Sequence, residues 1–85
     1  MEVLAVFQNR TQALAFSRGL NGYGVKTRII NTPREITSSC GLSVVFASNN
    51  LNKAKHLLGV SNNYSFAGFF AKKSVGGRIV FVPVK

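Results

Sequence analysis

The sequence predicts an α+β fold in a single domain spanning residues 1–85. Three observations carry that expectation. Short continuous apolar runs at Val3–Phe7 and Leu42–Ala47 have the length and composition of buried strands. A helical stripe follows each run: Ala13, Phe16 and Leu20 after the first, and Leu51, Ala54, Leu57 and Leu58 after the second. A chain of 85 residues supports one small core and leaves little room for a deep pocket.

The elements follow in order. Val3–Phe7 reads as a central strand, and Asn9 or Thr11 offers an N-cap for a helix over Thr11–Leu20. Asn21-Gly22-Tyr23-Gly24 stops that helix with glycine near its C-cap. Val25–Ile30 alternates Val25, Thr27 and Ile29 against Lys26, Arg28 and Ile30, as a strand with one wetter side does. After Leu42–Ala47, Ser48-Asn49-Asn50 supplies capping residues for a helix that ends at Gly59. Tyr64–Val84 reads as two strands joined around Ser74-Val75-Gly76-Gly77, where paired glycines supply positive φ. Phe69 and Phe70 then point to opposite faces, and Pro83, which has no N–H for a ladder, puts the last strand at an edge. This order folds most simply as a ferredoxin-like βαββαβ sandwich, both helices on one face, with an extra C-terminal strand completing a hairpin.

Eleven Lys and Arg against two acids give a net charge of +9, which favours nucleic acid, anionic lipid or an acidic protein as a partner. The basic residues are scattered, so the attraction is unspecific. One cysteine forms no internal disulfide and fits a reducing, cytoplasmic setting. The N-terminus does not read as a signal peptide, and no apolar stretch approaches the roughly 18 residues that span a bilayer. His56 has no second His, Cys or acid at ligand spacing, so an exposed helix histidine is expected and no metal site. With acids only at Glu2 and Glu35, an acid–base pair or triad is not readily assembled. A carrier or binding protein without a cofactor fits better than a self-contained enzyme.

The stretch of interest joins the second and third strands, Asn31-Thr32-Pro33-Arg34-Glu35-Ile36-Thr37-Ser38-Ser39-Cys40-Gly41. It is longer than the roughly 4–6 residues usual for such connections. Thr32 and Glu35 have capping-box spacing with Pro33 between them, which predicts one helical turn beginning there. Free N–H groups of that turn, the hydroxyls of Ser38 and Ser39, and the cation of Arg34 would stabilise a thiolate, while Gly41 admits a close approach. Two readings of Cys40 stand side by side: a reactive thiol, or a half-buried cysteine that fills space after a capped turn.

These residues resemble a family. The strand, helix and strand, then Thr32-Pro33-Arg34-Glu35 and Ser39-Cys40-Gly41-Leu42, look like the small bacterial proteins named putative selenium/sulfur carrier-like. The likeness runs from Val3 to the end of the second helix. It implies that Cys40 is the carrier atom, held as a persulfide or selenopersulfide, with the Pro33-Arg34 turn as its support. It implies sulfur or selenium donor and acceptor proteins as partners. The aromatic C-terminal hairpin and the high charge are not features of the resemblance.

Two rivals come from other classes. A basic ferredoxin-like domain could bind nucleic acid, since its element order is that of an RNA-recognition module. In Gly41-Leu42-Ser43-Val44-Val45-Phe46, however, Leu42 and Val44 stand where stacking aromatics belong. Alternatively the Phe-rich hairpin could be an interface, making the domain a structural module or a homodimer.

Overall fold

The computed structural model describes residues 1–36, 41–60 and 65–84. The fold is α+β. Strand β1 (Glu2–Phe7) leads into helix α1 (Arg10–Gly22), then β2 (Arg28–Asn31) and β3 (Leu42–Ala47). A short 3₁₀ turn, Ser48–Asn50, opens helix α2 (Leu51–Val60), and β4 (Phe66–Val75) and β5 (Arg78–Val84) complete the chain. The five strands form one sheet in the order β2-β3-β1-β4-β5, every neighbouring pair antiparallel. A plain βαββαβ sandwich has four strands, and β5 extends this sheet beyond β4.

Both continuous apolar runs are central. Val3, Leu4, Ala5, Val6 and Phe7 are each at most 2% exposed, because β1 is flanked by β3 and β4 and covered on both faces. Strand alternation splits the residues between two clusters. Val3, Ala5, Phe7, Val44, Phe46 and Phe69 face the helices, meeting Ala13, Phe16 and Leu20 of α1 and Ala54 of α2. Phe7 anchors that side, its ring 5.1 Å from Phe16 and 5.3 Å from Phe66. Leu4, Val6 and Val45 occupy the opposite face with Ile30, Ile36, Phe70 and Phe81.

Helix α1 starts where a cap was expected: the Asn9 side chain accepts the Gln12 N–H at 3.1 Å. It ends with Gly24 at φ 80°, the left-handed conformation that glycine adopts without cost. The second strand is shorter than the alternation predicts. The Val25 N–H donates to the Leu20 carbonyl at 3.0 Å, so Val25 closes the helix end, and the ladder to β3 begins at Arg28. Thr27, between them, turns toward α1 and hydrogen-bonds Ser17 at 2.6 Å. In the C-terminal hairpin Gly76 and Gly77 both have positive φ, 57° and 80°, as a two-residue hairpin of type I′ demands. Phe69 and Phe70 face opposite sides: Phe69 enters the helix-side core and Phe70 joins the other cluster. Pro83 lies in β5, at the sheet edge. Among the described residues, no helix is long and apolar enough to cross a membrane.

Candidate functional site

The loop between β2 and β3 leaves and re-enters the sheet at the end where β1 finishes and α1 starts. Its two ends are tied together. The Thr32 N–H donates to the Gly41 carbonyl at 3.1 Å, and the Thr32 and Ser43 hydroxyls share a hydrogen bond at 2.9 Å. Ser43 is fully buried, and a buried hydroxyl without a partner would cost about 1–3 kcal/mol. Thr32 therefore serves Ser43 instead of capping a helix. The expected helical turn is a single tight turn, closed by the Ile36 N–H donating to the Pro33 carbonyl at 3.0 Å.

Gly41 is needed for close packing. A Cβ at this position would stand 2.7 Å from the Phe7 carbonyl oxygen and 3.7 Å from Gln8 Cα. The start of β3 is thus pressed against the end of β1 and the entrance to α1. That corner is braced from a fourth element, just before β4. The Gln8 N–H donates to the Ser65 carbonyl at 3.0 Å, and the Gln12 side-chain oxygen accepts from the Ser65 N–H at 3.0 Å and from its hydroxyl. Four elements converge on one rigid corner beside the loop.

Ile36 gives the described part of the loop a packing role. It packs into the cluster of Leu4, Val6 and Val45 on the face that carries no helix. The loop thus covers apolar surface that would otherwise meet water.

Of the predicted site residues, Thr32, Pro33 and Gly41 gather at this corner, with Pro33 half-buried. Arg34 is exposed, as is Glu35, and among the described residues the two do not pair. Ser38, Ser39 and Cys40 lie outside the described residues. Ser43, Ile36, Gln12 and Ser65 were not singled out from the sequence. Two of them had a signal: Ser43 is a polar residue inside a strand-like apolar run, and Ile36 is an isolated apolar residue in a polar loop.

On the helix-free face the described residues of the central strands β1 and β3 include no aromatic side chain, and the half-buried aromatics there are Phe70 of β4 and Phe81 of β5. Leu42 and Val44 point to the helices. Their neighbours on the open face, Ser43 and Val45, are buried. Two basic residues there, Arg28 and Lys72, are ion-paired with Glu2 at 3.3 and 3.7 Å. An open cleft of about 350 Å³, lined by Tyr23, Asn52, Lys53 and His56, lies at the far end of α1, about 20 Å from the corner at 1.5 Å per helical residue.

In comparison with known proteins, the family described as Putative Se/S carrier protein-like matches residues 2–71. No curated protein and no solved structure matches the chain.

Proposed function

The chain belongs to the Putative Se/S carrier protein-like family, and from that premise we propose that it carries a sulfur or selenium atom on Cys40. The observation that carries the reading is the family match itself, which spans Cys40, the chain's only cysteine. The fold is read as ferredoxin-like over β1 to β4, whose order β2-β3-β1-β4 keeps the first and third strands central, with β5 as an addition.

The proposed cycle needs no cofactor. The Cys40 thiolate attacks the outer sulfur of a donor persulfide. The donor's S–S bond breaks, the donor leaves as a thiolate, and a new S–S bond leaves Cys40 as the persulfide. An acceptor nucleophile then attacks that outer sulfur and releases the Cys40 thiolate. One zero-valent sulfur moves at each step, and no net oxidation occurs. For selenium the donor is a selenopersulfide: the Cys40 thiolate attacks its terminal selenium, the donor S–Se bond breaks, the donor leaves as a thiolate, and a new S–Se bond leaves Cys40 as the selenopersulfide.

Two features support an anionic thiolate and persulfide near this loop. Gly41, the residue after Cys40, abuts Gln8 at the entrance of the 13-residue helix α1, whose dipole favours negative charge. The net charge of +9 raises the local potential and speeds encounter with acidic donor and acceptor proteins. Thr32, Pro33, Gly41 and the Ile36 anchor hold the loop. Arg34, exposed beside it, together with Ser38 and Ser39, completes the proposed anion support.

Intact-mass spectrometry tests the reading. Protein treated with inorganic polysulfide or a cysteine persulfide gains one sulfur, which dithiothreitol removes and which Cys40→Ser does not acquire. Failure of the wild-type chain to load, or equal loading of Cys40→Ser, overturns it.

A further inference from the structure

The two helices sit mainly over one side of the five-stranded sheet. Helix α1 packs over β1, β2 and β3, and α2 packs beside α1. Within β5, Val84 reaches the helix-side core. Beyond it the helix-side valines of the hairpin are exposed among the described residues: Val82 38%, Val80 36% and Val75 59%. The register puts Lys73 beside Val80 and Arg78 beside Val75 on this same surface. Of the hairpin's phenylalanines, Phe69 is buried and Phe66, Phe70 and Phe81 are half-buried against the two clusters, so the valines are its more exposed apolar side chains.

We propose that this strip, formed by Val75, Val80 and Val82 with Lys73 and Arg78 beside them, docks an acidic amphipathic helix of a partner protein. The strip is a recessed step, since the neighbouring helix layer stands about 10 Å above the sheet. A cylinder fills such a step, and a flat bilayer does not. Arg78 to Val82 spans about 13 Å of strand, the rise of about nine helical residues. Charge selects the occupant. Both acids of the chain lie elsewhere: Glu2 is ion-paired on the opposite face, and Glu35 follows β2, at the other edge of the sheet. A second copy would bring Lys73 and Arg78 against their like, whereas an acidic helix meets both cations alongside the apolar strip, in the two rows nearest the turn. Of the residues that form this surface, Lys73, Val75, Arg78, Val80 and Val82 lie beyond the family match, which covers residues 2–71. The inference stands independently of Cys40.

The test uses the full chain and a labelled helical peptide of about 14 residues, with leucines at i, i+3, i+4 and i+7 and glutamate elsewhere. Fluorescence anisotropy reads binding. Micromolar affinity is expected, weakened at least about tenfold by Val80→Asp, and similarly by Lys73→Glu combined with Arg78→Glu. Because the substituted side chains are exposed, melting temperatures near wild type should accompany the loss. A lysine version of the peptide and an unpatterned glutamate peptide should not bind. The proposal is overturned if the acidic peptide fails to bind or binds these variants equally well. It is also overturned if Val80→Asp instead dissolves a wild-type dimer, or abolishes binding to anionic vesicles or single-stranded oligonucleotide while peptide binding is untouched.

Discussion

Replacing Gly41 with alanine tests the frame around the loop through one methyl group. The added carbon would sit 2.7 Å from the Phe7 carbonyl oxygen, well inside the roughly 3.3–3.6 Å of a close C···O contact. The oxygen belongs to the backbone of a central strand, and the Phe7 side chain is fully buried, so it cannot step aside. The shift falls on Gly41 and on its 3.1 Å bond with Thr32. Overpacking of this kind costs about 1–3 kcal/mol. Taking about 2 kcal/mol, a domain of this size loses about 8–16 °C of melting temperature. Gly59→Ala is the control, because a Cβ there meets nothing within 4 Å. It lies in helix α2 and should gain up to about 1 kcal/mol. Thermal melts followed by circular dichroism read both. A Gly41→Ala protein that melts with the wild type, or a Gly59→Ala protein that falls as far, refutes the reasoning.

Thr32→Val strands the buried Ser43 hydroxyl and should lower stability by about 1–3 kcal/mol in urea titrations. Adding Ser43→Ala should recover much of that loss, which a double-mutant cycle measures. Ile36→Ala uncovers Leu4 and Val6 on the helix-free face; from its half-buried state the loss should be about 1–2 kcal/mol, with a changed rate of Cys40 alkylation in native protein. Glu2→Gln removes both ion pairs, which are solvent-exposed, so stability should move by less than about 1 kcal/mol and that difference should shrink in high salt.

Where the chain's local chemistry and its tertiary needs agree, the sequence was enough. The uninterrupted apolar runs announce β1 and β3, the leucine stripe announces α2, and Gly76-Gly77 announces the final turn. Where they compete, local reading failed. Thr32, Pro33 and Glu35 have the spacing of a helix start, but the Thr32 hydroxyl is drawn to a buried serine eleven residues away. Val25 looks like a strand residue, but its N–H closes the end of α1. The long connection appeared to need a functional reason, and Ile36 supplies a structural one as well, by covering the second apolar face. The Gly41–Phe7 approach depends on neighbours distant in sequence, which no local pattern encodes. The aromatic hairpin suggested an interface of phenylalanines, and alternation across a paired strand buries Phe69, leaves Phe66, Phe70 and Phe81 half-buried, and exposes the valines Val75, Val80 and Val82.

The carrier reading stands or falls on the chemistry of one thiol. The most direct measurement is the pH dependence of Cys40 alkylation by iodoacetamide, in native and in denatured protein. The account predicts fast native labelling whose midpoint lies at least about one unit below the value near 8.5 of a free cysteine, returning to that value on denaturation. Labelling only after denaturation, or a native midpoint at or above the free value, would contradict it.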